Sequence, residues 1–218
     1  MEKSSAISVK IDGVTALASI VDSSGSLFLY APGSSSNVHD PFGAFLSQFL
    51  TLQGISSIRF QFPYQEADKR SPDSAKVLKE TWRSIIRWSR QYQLKTIIGG
   101  RSLGGKVASY VASEDEEIDA LALFAYPFHA PGRPALAQNE HLTQINLPIF
   151  FCTGTRDNFA NADLVTKTLS SLTQASFHSL ENADHGFSLR KAATETKEQL
   201  WSQGAIAFVK WLESYALN

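Results

Sequence analysis

The sequence predicts an α/β fold, with a mostly parallel sheet of about eight strands flanked by helices. Three observations carry this. Short apolar runs alternate along the chain with runs whose apolar residues recur at helical spacing. No shift of composition divides the 218 residues, so one domain is expected over 1–218. The stretch Gly99-Gly100-Arg101-Ser102-Leu103-Gly104-Gly105 joins the β-prone Leu94, Thr96, Ile97 and Ile98 to a run from Lys106 to Ala112 that reads as a helix start.

The elements follow in order. Residues 7–11 and 16–21 read as strands joined at Asp12-Gly13, a pair suited to a hairpin turn. Leu27-Phe28-Leu29-Tyr30 reads as a buried strand entering the loop Ala31-Pro32-Gly33-Ser34-Ser35-Ser36-Asn37. Residues 41–51 read as a helix with Phe42, Phe45, Leu46 and Phe49 on one face and Gly54 as its stop. Residues 55–62 are the next strand. Ser71 and Pro72 suit an N-cap and a first helical position. The long helix after them carries Val77, Leu78, Trp82, Ile85, Ile86 and Trp88 as a wide apolar stripe.

Beyond the glycine-rich turn, residues 113–117 read as an acidic, solvated connection and 119–126 as a strand. Residues 127–146 lack periodicity and are broken by Pro127, Pro131, Gly132 and Pro134, so no multi-helix lid is expected. Residues 148–153 read as a strand, 160–172 as a short helix and 175–180 as a last strand. Residues 200–215 close the chain as a helix with Phe208, Trp211 and Leu212 inward.

Composition excludes several classes of function. Hydrophobic residues make up 43% and charged residues 19%, which is globular rather than disordered. The formal net charge is -1 and the Lys and Arg residues are scattered, so no basic stripe is available to follow a nucleic acid. No apolar run approaches the ~18–20 residues that span a bilayer. Met1–Ser5 lack the apolar core of a secretion signal, and a cytoplasmic protein with no membrane partner is expected. The one cysteine, Cys152, sits in an apolar run and reads as a buried structural thiol. The five histidines are far apart and lack Cys partners, so no metal site is expected; no cofactor is expected either.

Strand, sharp turn and helix around Gly-x-Ser-x-Gly is the context of a nucleophile elbow. Ser102 stands at the tip, and Gly100 and Gly104 leave room where side chains would collide with the neighbouring strand and helix. A hydroxyl is a poor nucleophile and needs a base and a group that orients the base. In the α/β-hydrolase arrangement the chain order is Ser, then Asp or Glu, then His. Asp157 follows the strand 148–153 directly, and His185 lies in the loop beyond the last strand, beside Gly186. Asp163 is the nearest rival acid but should face solvent from a helix, and Asp184 should shape the histidine loop. The N–H of Leu103 is the first expected oxyanion donor, and the N–H of Ser34, after Gly33, the second. Ligands in such sheets bind beyond the carboxyl ends of the strands. An open site lined by Ser35, Asn37, His39, Tyr126, Phe128 and His129 is therefore expected.

Several stretches together resemble a group of small bacterial α/β-hydrolases. They are Arg59-Phe60-Gln61-Phe62-Pro63-Tyr64, the elbow from Gly99 to Ser109, and Tyr126 to Pro134. Glu140-His141-Leu142, Gly154-Thr155-Arg156-Asp157 and Asp184-His185 add to the match. The same group has eukaryotic relatives among testis-expressed proteins and a chromatin acetyltransferase subunit. More distantly the chain is similar to dienelactone hydrolases, whose usual nucleophile is Cys where this chain has Ser102. The resemblance implies an α/β-hydrolase fold with Ser102 as nucleophile, Asp157 as acid and His185 as base. One departure follows Tyr30: relatives carry His-Gly and a Gly/Ala-rich loop, whereas this chain carries Pro32-Gly33-Ser34-Ser35-Ser36-Asn37.

The sequence thus reads as a serine hydrolase acting on a carboxylic ester or related acyl compound, with a small acyl molecule as its partner. The rival class is a non-catalytic interaction module that keeps the fold. A complete Ser, Asp, His order argues against it.

Overall fold

A computed structural model describes residues 6–114, 117–190 and 194–216. The expectation at Met1–Ser5 and the centre of the acidic connection, 115–116, lie outside the described residues.

The strands are β1 (Ile7–Ile11), β2 (Val14–Ser19), β3 (Ser26–Ala31), β4 (Ser56–Phe60), β5 (Lys95–Arg101), β6 (Ala120–Phe124), β7 (Ile149–Gly154) and β8 (Ala175–Leu180). They form one eight-stranded sheet in the order β1-β2-β4-β3-β5-β6-β7-β8. The pairings of β1 with β2 and β2 with β4 are antiparallel, and the other five are parallel. Asp12 and Gly13 both take positive φ, 45° and 86°, so the first hairpin closes in a two-residue turn. β2 therefore starts at Val14, opposite Ile11, rather than at 16.

The helices are α1 (Pro41–Leu52), α2 (Pro63–Glu66), α3 (Ala75–Ser89), α4 (Leu103–Ala112), α5 (Ala162–Ser170) and α6 (Lys197–Ala216). β3, β4, β5, β6 and β7 are buried on both faces and their alternate side chains feed two separate cores, whereas the edge strand β8 is partly exposed. Phe28, Tyr30, Phe124 and Phe150 pack with Phe42, Leu46, Phe208 and Trp211 of α1 and α6. Leu29, Ile98, Leu123 and Phe151 pack on the other side with Trp82, Ile85, Val107 and Val165 of α3, α4 and α5. β3 lies between β4 and β5, and the connections leaving β3 and β4 cover opposite faces. A crevice for ligands opens at the carboxyl ends of strands arranged in this way.

The local reading changes around α3, and α2 is an added element. The cap of α3 is Ser74, whose side chain accepts from Val77 N–H at 3.4 Å, while Ser71 and Pro72 precede the helix. With that start Leu78, Trp82, Ile85 and Ile86 face the core, Trp88 is half-buried and Val77 is exposed. α2 had no signal in the periodicity, because four residues are too few to show one. Between β6 and β7 the chain makes two single 3₁₀ turns, Pro134–Leu136 and Glu140–Gln144, and no lid.

Candidate active site

Ser102 follows β5 and is the N-cap of α4, with φ 50° and ψ −116°. A non-glycine residue in this region costs about 1–3 kcal/mol and is retained where the surroundings enforce it. Here they do: Ser102 N–H donates to Phe124 O at 3.0 Å, and the helix begins at once. A Cβ on Gly100 or Gly104 would stand 2.0 or 2.2 Å from Ala31 O of β3, so neither position admits a side chain. An N-cap serine ordinarily spends its hydroxyl on the helix N–H groups. The Ser102 hydroxyl does not cap α4, and this frees it for another partner.

That partner is His185. Its Nε2 lies 2.9 Å from Ser102 Oγ, and its Nδ1 lies 2.9 and 2.8 Å from the two oxygens of Asp157. A carboxylate only accepts, so Nδ1–H donates to Asp157 and, in the neutral ring, Nε2 accepts from the Ser102 hydroxyl. The Asp157 side chain is fully buried, and Oδ1 also accepts from Phe159 N–H at 2.8 Å. The Phe159 ring stacks on His185 at 4.0 Å. The loops carrying acid and base brace one another through Arg156 N–H to Ala183 O at 2.9 Å and Arg156 Nη1 to Asn182 O at 3.1 Å. Asp184 Oδ1 accepts from Gly186 and Ser188 N–H, both at 2.9 Å, and so folds the histidine loop, while Asp163 is exposed on the first turn of α5.

The loop after β3 passes beside the serine: a Cβ on Gly33 would lie 3.6 Å from Ser102 Cβ. Ser34, Ser35, Asn37 and His39 are exposed on it. Ser34, Ser35 and Asn37, with Tyr64, Gln65, Lys69 and Arg70, line an open cleft of about 500 Å³. Among the described residues Ser34 N–H has no hydrogen-bond acceptor. Leu103 N–H is in the first turn of α4, where helix donors lack intrahelical partners.

The expected lining on the other side is corrected. Tyr126 and Phe128 are fully buried in the core, edge-on to one another and packed on Phe151. Lys106 Nζ donates to Tyr126 Oη at 2.8 Å, to Gln138 O at 2.8 Å and to Asn139 Oδ1 at 3.0 Å, which draws this segment down onto α4. His129 is buried with both ring nitrogens engaged: Nδ1 bonds Ala130 O at 2.7 Å and Nε2 accepts from Asn161 N–H at 2.9 Å. These three residues support the site from behind. Cys152 is buried, and burial pushes its thiol well above the ordinary range.

Sequence reasoning missed Asp40. It is buried, caps α1 through Gly43 N–H at 2.9 Å, and accepts from Tyr30 Oη at 2.6 Å, Ser36 Oγ at 3.1 Å and Arg101 Nη2 at 2.9 Å. Burial, reinforced by Asp40, pushes the Tyr30 hydroxyl well above its ordinary range. The Asp-Pro pair at a helix start was a readable cap signal, but its reach to Arg101, next to the serine, was not.

The sequence pattern of the alpha/beta hydrolase domain matches residues 24–213. The chain belongs to the alpha/beta hydrolase family. Solved structures share the fold at low identity. Est1E from Butyrivibrio proteoclasticus with ferulic acid bound is 10% identical, with a TM-score of 0.78 over 98% of this chain and 100% of that one. A dienelactone hydrolase from Anabaena variabilis is 19% identical, with a TM-score of 0.76 over 96% of each chain. A serine hydrolase without lid from Xanthomonas campestris is 17% identical, with a TM-score of 0.70 over 97% of each chain. That protein, too, is described as having no lid. Among the described residues no helix is long and apolar enough to cross a membrane, and no group of three His, Cys, Asp or Glu could hold a metal ion.

Proposed function

We propose that the chain, as a single domain over 1–218, is a serine hydrolase of small carboxylic esters or related acyl compounds. The observation that carries the reading is the line of hydrogen bonds from Ser102 through His185 to Asp157, starting from a serine held at φ 50°. Ser102 Oγ attacks the acyl carbon as its proton passes to His185 Nε2. Asp157 holds the ring through Nδ1 and stabilises the imidazolium. The N–H groups of Leu103 and Ser34 receive the oxyanion. Collapse expels the alcohol, which takes the proton from His185. Water, activated by the same histidine, then releases the acid from Ser102.

The ferulic acid held by Est1E supports a small acyl compound as substrate. So does the open cleft beside Ser34. The sequence resemblance to small bacterial hydrolases and their testis-expressed and chromatin-complex relatives points to the same reaction class.

Hydrolysis of p-nitrophenyl esters of increasing acyl length by wild type and Ser102→Ala tests this. Without a lid little of a long chain is buried, and each buried methylene is worth only ~0.8 kcal/mol. Short esters should be turned over best, and Ser102→Ala should lower the rate by at least about 10²-fold with thermal unfolding nearly unchanged. An alanine variant that keeps more than about a tenth of the rate contradicts the two-decade role assigned to Ser102.

A further inference from the structure

We infer that Gln65 is the positioning residue of the oxyanion hole, holding the peptide between Gly33 and Ser34 so that its N–H faces Ser102. This rests on Ser102 being the nucleophile and Ser34 N–H the second oxyanion donor.

Gln65 is buried on α2, outside the chain segment that carries the serine and outside the loop it holds. Every part of its amide is used. Oε1 accepts from Phe62 N–H at 2.9 Å, which fixes which end of the amide faces outward. Nε2 then donates to Gly33 O at 3.0 Å and to Ser36 O at 2.5 Å. In a trans peptide the N–H points opposite to the C=O. A Gly33 carbonyl turned toward Gln65 therefore turns Ser34 N–H the other way. That N–H has no acceptor among the described residues, and Gly33 is the loop residue against Ser102.

The neighbours of Gln65 act in the same sense. Tyr64 Oη donates to Ser34 O at 3.0 Å, so the next peptide is pinned as well. Gln61 Oε1 accepts from Val38 N–H at 3.1 Å, and Arg59 Nη1 donates to Val38 O at 3.0 Å. Gln61 Nε2 in turn donates to Glu66 at 2.6 Å, and Glu66 accepts from Thr15 N–H of β2 at 2.9 Å. The stretch from Arg59 to Glu66 is thus a clamp on the loop after β3, anchored to β2. Pro32 and three serines replace the Gly-rich loop of the relatives, and this clamp adds to the loop's own bond from Ser36 N–H to Gly33 O at 3.2 Å. Glutamine, not glutamate, is required at 65, because two carbonyl oxygens face its outer end.

The test is steady-state kinetics of Gln65→Glu and Gln65→Met on a short oxygen ester and on its thionoester, alongside wild type and Ser102→Ala. Gln65→Glu keeps the shape but sets a carboxylate oxygen against Gly33 O and Ser36 O. Gln65→Met removes the donor without adding charge and covers the case in which the glutamate does not fold. A lost oxyanion donor costs about 10²–10³-fold in rate. Each folded variant should lose kcat on that scale on the oxygen ester, with KM within about threefold. The rate ratio of oxygen ester to thionoester, high when a hole selects oxygen, should collapse in the variants. A kcat within threefold of wild type overturns the inference. So does a fall in kcat that leaves the ester to thionoester ratio unchanged, which is the mark of a merely structural role. Wild-type turnover that survives Ser102→Ala would instead overturn the nucleophile reading, and the placement of Gln65 with it.

Discussion

Two loops flank Ser102, and they are built in opposite ways. The loop after β3, residues 32–40, keeps Ser34, Ser35 and Asn37 exposed and is held by polar side chains from elsewhere: Arg59, Gln61, Tyr64, Gln65 and Arg101. The segment after β6, residues 125–146, turns its own large side chains inward. Tyr126 and Phe128 join the core, and Lys106, Asn139 and His129 tie the backbone over them. The first construction leaves the Ser34 N–H without an acceptor among the described residues, turned to where a ligand can meet it. The second adds to the core and supports the loop of Asp157. Side-chain chemistry is therefore a poor guide to which loop a ligand meets; where each loop's hydrogen bonds go is a better one.

The largest expected contrast is in stability. Phe128→Ala should destabilise the protein by about 3–5 kcal/mol, as for a buried aromatic in a packed core. Chemical denaturation measures this. A change below 1 kcal/mol would place Phe128 on the open site after all.

A smaller effect depends on pH. His141 lies 2.8 Å from Ser109 Oγ and stacks on Tyr110, and burial, with help from Lys106 and against Glu140, pulls its ring down to about 4. An unfolded histidine titrates near about 6.5. Between these values the unfolded chain binds more protons, so stability rises with pH through the window and is lost as pH falls from about 6.5 toward 4. Unfolding free energies at pH 7 and pH 5 should differ more in wild type than in His141→Gln. An equal fall in both proteins would remove His141 from the account.

Smallest in stability, and opposite in kind, is Ser35→Ala. This exposed loop position should change unfolding free energy by no more than about 0.5 kcal/mol. It should nevertheless shift KM for short esters, because Ser35 lines the cleft beside Ser34. An unchanged KM would move substrate away from this loop.

The parallel strands, the elbow and the order of Ser102, Asp157 and His185 were legible because each depends on local pattern. An apolar run, a glycine forced by a neighbouring strand and a carboxylate at a strand end all leave marks within a few residues. The pocket was less legible. Tyr126, Phe128 and His129 follow a strand end and have ligand-binding chemistry, but Ala125 takes φ 46°, and the chain turns these side chains back into the core. Nothing local announces that turn. Gln65 and Asp40 were missed for a related reason. Their partners lie at Gly33 and Ser36, and at Arg101, brought near only by the folded sheet.

The central claim is that Ser102 is an activated nucleophile, and covalent labelling tests it most directly. Wild type, Ser102→Ala and His185→Gln should be treated with a fluorophosphonate and followed by intact-mass and peptide mass spectrometry. The account predicts one adduct on wild type, mapped to Ser102, none on Ser102→Ala, and labelling slowed by at least about 10²-fold in His185→Gln. An unlabelled wild type, or an adduct that persists in Ser102→Ala, would contradict it.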